Sequence, residues 1–93
     1  MPVVVMKIKL SLPGARSLKD KRQIVKSLKE RLKQRFNVSV AEMDLQDVWQ
    51  SAVLGVAVIS PDKQFAESVA SKAADFVRSD HRLFLAAVEV EVF

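Results

Sequence analysis

The hydrophobic period changes repeatedly along this chain, and those changes restrict the fold more tightly than any overall composition. Residues 3–12 alternate, with Met6, Ile8, Leu10 and Leu12 on one side and Lys7, Lys9 and Ser11 on the other. That is the period of two expected of a half-buried strand. Pro13-Gly14 stops it. From Leu18 the period lengthens, and Ile24, Val25, Leu28, Leu32 and Phe36 fall in an arc of about 120° at 100° per residue, which predicts an amphipathic helix of about five turns. Asn37 ends it.

Residues 38–45 predict a second strand, and "AVLGVAVIS" (52–60) a third whose near-continuous apolar run suits a central place in a sheet. "QDVWQ" (46–50) lies between them as a hairpin. Ser60-Pro61 reads as an N-cap followed by proline at the first helical position, and Phe65, Val69, Ala73, Phe76 and Val77 trace a second amphipathic helix whose alanines allow close approach to the sheet. Residues 83–93 alternate again, Val88, Val90 and Val92 inward against Glu89 and Glu91 outward.

The order β-α-β-β-α-β predicts an α+β chain with the ferredoxin-like split βαβ arrangement (βαββαβ). This is a four-stranded antiparallel sheet with two helices on one face, expected as a single domain over residues 1–93. In this topology the first and last strands are neighbours. Lys7 and Lys9 are then expected to meet Glu89 and Glu91 across the open face, a register device worth about 0.2–1 kcal/mol per pair; otherwise the four charges form a solvated sheet face.

Composition narrows the functional classes. Hydrophobic residues make up 49% of the chain, with 2 Gly and 3 Pro, which is globular rather than disordered composition. Zero cysteines exclude disulfides, thiolate chemistry and cysteine-based zinc sites and argue for a cytoplasmic address. "MPVVVMKIKLSL" reads as a strand and not as a signal or membrane segment, because Lys7 and Lys9 break its apolar run.

Charge is distributed unevenly. Residues 16–35 carry nine of the fifteen Lys and Arg but two of the eleven Asp and Glu, a local +7 in a chain of net +4. On the first helix Arg22, Lys26, Lys29 and Lys33 have the i, i+4, i+7, i+11 spacing of one ridge, with Lys19 along its edge, while Asp20, Gln23, Ser27, Glu30 and Gln34 occupy another flank. Like charges at this spacing repel by a few tenths of a kcal/mol per pair. A ridge of this kind suits a phosphate backbone, where each cation contact releases counterions. The competing reading is a solvated flank whose long side chains cover the edge of the core.

The helix start, "RSLKDKR" (16–22), places cations where the macrodipole favours anions. Ser17 and the free N–H groups of the first turn, with Arg16 and Lys19 alongside, are therefore candidates for holding a phosphate or carboxylate. The stretch is no P-loop. Lys21 falls inside the apolar arc, which calls for a structural partner such as Asp44 or Asp47.

Topology brings the loop after the first strand, the hairpin and the loop before the last strand to one end. Trp49, His81 and Arg82 are thus candidate stacking or partner-anchoring groups beside Arg16 and Ser17. Trp49 also suits a lid on the core edge, and His81 beside Asp80 suits a surface or capping role. Glu42, Asp44 and Asp47 form no metal-ligand set, and Glu42 and Asp44 are better paired with Lys21 or its neighbours. Neither a catalytic arrangement nor a cofactor or metal site is indicated, so an enzyme using His81 and Asp47 is the weakest of three classes. The outward positions of the first strand lack the aromatics of RNA-recognition sheets. Val3, Val5, Leu85, Ala87 and Phe93 instead predict apolar patches for a homodimer through the sheet face or an edge strand.

The segment "LPGARSLKDKRQIVKSLKERLKQRFNVSVAEMDLQDVWQSAVLGVAVIS" (12–60) resembles the YlxP-like bacterial family, a domain of unknown function. The resemblance runs essentially end to end. It is carried by Ser17, Leu18, Lys19, Lys21 and Arg22 at the helix start, by "FNVSVAE" at 36–42, and by Trp49 before the third strand. It implies a small ferredoxin-like protein without an established activity, whose genes often neighbour those for translation initiation and ribosome-maturation factors. The resulting expectation is a non-enzymatic RNA- or ribosome-associated module contacting phosphates through Arg16, Ser17, Lys19, Arg22, Lys26, Lys29 and Lys33. The alternative is a homo-oligomeric regulatory or protein-interaction domain that binds a small anion or partner peptide.

Overall fold

Alternating side chains on the first strand decide which face of the sheet is buried. In the computed structural model, which describes residues 2–45 and 47–93, β1 (Val3–Ser11) buries Val4, Met6, Ile8 and Leu10 and turns Lys7 and Lys9 to solvent. It is followed by α1 (Leu18–Arg35), β2 (Ser39–Asp44), β3 (Ser51–Ile59), α2 (Lys63–Arg78) and β4 (Phe84–Val92). The sheet order is β2-β3-β1-β4, and every neighbouring pair is antiparallel. This is the ferredoxin-like βαββαβ fold expected from the sequence. Gln46, the first residue of the expected hairpin, lies outside the described residues.

Register explains the core. Val4, Met6, Ile8 and Leu10 stand opposite Val58, Val56, Leu54 and Ala52, so the buried sides of both central strands form one apolar face. Val25, Leu28 and Leu32 of α1 and Ala66, Ala70, Ala73, Ala74 and Val77 of α2 close over it. The alanine stripe of α2 lets this helix sit near the sheet, as expected. Phe65 departs from expectation: it lies outside that stripe and is 60% exposed.

The start of α2 also differs. The N-cap is Asp62, whose carboxylate accepts from the N–H groups of Gln64 and Phe65, while Ser60 Oγ accepts from Asp62 N in the turn before it. A carboxylate is favoured at this position because it satisfies two free N–H groups and complements the macrodipole.

At the β1–β4 edge the register places Lys7 opposite Glu89 but Val5 opposite Glu91 and Lys9 opposite Ala87. Neither lysine takes part in an ion pair among the described residues. The expected double pairing is therefore replaced by a single juxtaposition. Val88, Val90 and Val92 stand opposite Ile8, Met6 and Val4 and so share the core side. Val90 and Val92 nevertheless remain exposed because β4 is an edge strand and the helices do not extend over them.

Candidate nucleic-acid interface

The first turn of α1 supplies its own cap. Ser17 Oγ accepts from Asp20 N at 3.0 Å, and Asp20 Oδ2 accepts from Arg16 N at 3.0 Å. Two N–H groups at the helix start are thus satisfied by side chains in a reciprocal arrangement close to a capping box. An anion already sits at the positive end of the dipole, and it belongs to the chain. The Ser17 hydroxyl is engaged in the cap.

Lys21 accounts for another cation of "RSLKDKR". Its ammonium is fully buried within the α1 stripe, 3.0 Å from Glu42 Oε2, and it donates to the Leu45 carbonyl. The partner is Glu42, one of the acids expected to pair with Lys21 or its neighbours, and not Asp44 or Asp47, because Glu42 stands opposite Leu54 and so projects to the core side of β2. Asp44 instead accepts from Leu45 N. Leu45 has φ 61°, in the left-handed region, and its carbonyl also accepts from Val48 N. Lys21 therefore ties α1 to the β2–β3 hairpin.

The remaining cations have no such partners. Arg16, Lys19, Arg22, Lys26 and Lys33 are exposed and Lys29 is half-buried. Among the described residues none of the six has a carboxylate oxygen within 4.0 Å of its charged side-chain nitrogens. Arg22, Lys26, Lys29 and Lys33 follow the helical ridge beside the buried stripe of Lys21, Val25, Leu28 and Leu32. The ridge is an open line of positive charge without ion pairs among the described residues.

The expected rim is only partly assembled. Strand pairing does place Ser11, Ser51 and Phe84 at one end of the sheet, and Gln50 Nε2 donates to the Pro13 and Ala15 carbonyls, joining the hairpin to the β1–α1 loop. Trp49 is 51% exposed there and is no lid on the core. His81 and Arg82, by contrast, line a groove with Arg31, Gln34, Arg35, Phe76 and Ser79. This pair thus shares a groove with the C-terminal half of α1, whereas Arg16 and Ser17 stand at the N-terminal end of that helix.

In that turn Asp80 holds Arg82 by two side-chain bonds, Nε to Oδ1 at 2.9 Å and Nη2 to Oδ2 at 2.6 Å, and also accepts from Arg82 N. The Arg82 side-chain bonds hold the Asp80 carboxyl below the ordinary 3.8 of an aspartate; partial burial opposes this, and the Arg82 N–H and the charges of Arg82 and Arg31 add to it. Arg35 lies over the Phe76 ring at 5.2 Å, and Phe36 meets the same ring edge-on at 5.9 Å. The sequence reading missed Arg31, Gln34 and Arg35 as a group. The i,i+4 spacing of Arg31 and Arg35, on the flank away from the ridge, was the available signal.

Comparison with known proteins agrees with this architecture. The family model described as "Protein of unknown function (DUF503)" matches residues 3–90. The chain is 35% identical over 65 residues to "Uncharacterized protein YlxP" of Bacillus subtilis (strain 168), covering 70% of this chain and 71% of that protein. Among solved structures it is similar to the de novo designed protein Foldit4, with TM-score 0.55 and 18% identity over 100% of this chain and 97% of that one. It is also similar to the de novo designed protein LFR1 1 with ferredoxin fold, with TM-score 0.53 and 15% identity over 99% and 85% of the two chains. These likenesses establish the fold alone. With a family match over nearly its whole length, the chain belongs to the YlxP-like DUF503 family of proteins of unknown function.

Proposed function

We propose that this protein is a non-enzymatic RNA- or ribosome-associated binding module that engages phosphates through Arg16, Lys19, Arg22, Lys26, Lys29 and Lys33. The observation that carries the reading is the lack of any carboxylate within 4.0 Å of the charged side-chain nitrogens of these six residues among the described residues. Exposed lysines kept apart from acids repel each other in the free protein and gain most against a dense line of phosphates. Ser17 is left out of this set because its hydroxyl caps α1. Trp49, half-exposed at the hairpin, is the candidate stacking group. Filter binding to structured RNA with the double charge reversal K26E/K29E tests the reading. The variant is expected to lower the slope of log affinity against log salt by about two and to weaken binding at least about tenfold; unchanged binding overturns it.

One observation favours a second reading, assembly through β4. This edge strand exposes Phe84, Val90 and Val92, followed by Phe93, at 67%, 52%, 43% and 70%. Edges are usually guarded against pairing, and the guard here is limited to Glu89 and Glu91, which share the open face with Phe84 and Phe93, while Val90 and Val92 lie on the other side of the strand. Sedimentation equilibrium of the chain and its V90K/V92K variant tests it: a dimer that the substitutions dissociate supports the reading, and a monomer at all concentrations removes it.

A further inference from the structure

The groove between the C-terminal half of α1 and the turn before β4 lies on the other side of the buried α1 stripe from the ridge, and its chemistry is different. Three arginines, Arg31, Arg35 and Arg82, line it together with His81, Gln34 and Ser79. Among the described residues the groove's one acid, Asp80, is already engaged by Arg82 through Nε and Nη2, and the Nη1 N–H groups of Arg82 have no partner. Asp75, at the adjoining wall, is paired with Arg78 at 3.0 Å. Among the described residues neither Arg31 nor Arg35 has a carboxylate within 4.0 Å. The side-chain amide of Gln34 makes no hydrogen bond within the described chain. The groove therefore offers unsatisfied donors and an excess of positive charge in one place.

It also offers a flat surface. Phe76 is fixed edge-on by Phe36 and covered on its face by the Arg35 guanidinium, 5.2 Å from the ring centre. A guanidinium stacked on an aromatic ring presents its other face to a second planar group, and nucleobases stack on arginine planes. The volume, about 600 Å³, falls within the range of small-molecule sites and exceeds what a lone phosphate would fill. An amide beside a stacking plane can hydrogen-bond a base edge, while two arginine forks within reach suit a phosphate.

We infer that this groove is a second anion site, separate from the α1 ridge, that takes a phosphorylated nucleoside, either free or as one unit of a single-stranded RNA. The base stacks on Arg35 over Phe76, the Gln34 amide reads its edge, and Arg31 and Arg82 hold the phosphate. The Asp80 carboxylate acts as a positioning group that aims Arg82. This site stands independently of whether the ridge binds RNA.

Nitrogen-15 NMR of the full chain tests it, following the Gln34 side-chain amide, the arginine Nε–H signals and the backbone of residues 79–82. The probes are AMP, adenosine, inorganic phosphate and a short oligoadenylate. The expected result is saturable AMP-induced shifts at those signals, with adenosine and phosphate each at least about tenfold weaker. AMP binding is lost in R31E and retained in K26E/K29E, with thermal melts verifying that the variants fold. Tighter binding of oligoadenylate than of AMP at the same signals identifies an RNA strand as the source of the ligand; equal or weaker binding identifies the free nucleotide. The inference is overturned by an absence of shifts at about 1 mM ligand, by shifts confined to the ridge, by phosphate binding as well as AMP, or by a folded R31E variant that binds AMP unchanged.

Discussion

Lys21 of α1 and Glu42 of β2 form a buried ion pair, Nζ to Oε2 at 3.0 Å, with side chains 1% and 17% exposed. Glu42 Oε2 receives no aligned hydrogen bond, so this contact is held by charge, while the directed bond of the ammonium goes to the Leu45 carbonyl. One side chain thus joins helix, strand and hairpin.

Breaking that pair leaves an uncompensated charge out of water. Lys21→Met is expected to cost about 3 kcal/mol in urea unfolding, and the double variant K21M/E42L to recover most of it, because a buried pair replaced as a unit by apolar groups is often neutral. A loss below about 0.5 kcal/mol for Lys21→Met contradicts the role given to the pair.

The Asp80–Arg82 clamp makes an acid-side prediction. The folded-state pKa of Asp80 lies below its ordinary 3.8, so its stabilising contribution is present above that value and is lost as pH falls through it toward the folded value. Asp80→Asn is therefore expected to be less stable than the wild type near neutral pH by about 1 kcal/mol, limited by solvent at the partly exposed Arg82. The difference shrinks below about pH 4. Thermal melts of both proteins across the acid range measure it, and a constant difference contradicts the assignment.

Leu45 sits at φ 61°, a region disfavoured for side chains with a Cβ. Leu45→Gly is expected to stay within about 1 kcal/mol of the wild type, since relief of that conformation offsets the lost apolar contact. Leu45→Val is expected to lose more than about 1 kcal/mol, because a β-branched residue tolerates the conformation poorly. Equal melting temperatures for the two variants contradict the reading.

Gly55 lies beneath Met43, where an added Cβ would come 2.9 Å from Met43 Cγ and 3.0 Å from Sδ. Met43 is 54% exposed and unbranched, so it can swing away. Gly55→Ala is expected to cost less than about 1 kcal/mol, and less still with Met43→Ala added. A larger cost that Met43→Ala leaves unrelieved in a double-mutant cycle contradicts this picture.

Local pattern is sufficient for the element order and for the burial of Met6, Ile8, Leu10 and Leu12. Each depends on residues within a few positions of one another. Lys21 stands out as a cation in an apolar arc with Glu42, Asp44 and Asp47 as candidate partners, and the choice among them follows from the β2–β3 register that turns Glu42 inward. The same limit applies to Lys9, which faces Ala87, and to Val90 and Val92, which have the inward period but lie beyond the cover of the helices. The groove of Arg31, Arg35 and Arg82 depends on how the turn of residues 79–82 folds back across α1, a long-range relation that no periodicity encodes.

The ridge on α1 carries the functional account, and salt dependence of RNA binding tests it most directly. Six phosphate contacts predict a slope of log affinity against log salt of about −4 to −5 for structured RNA, measured by filter binding from about 50 to 300 mM salt. No binding at the low end, or an affinity that does not change across the series, contradicts the account.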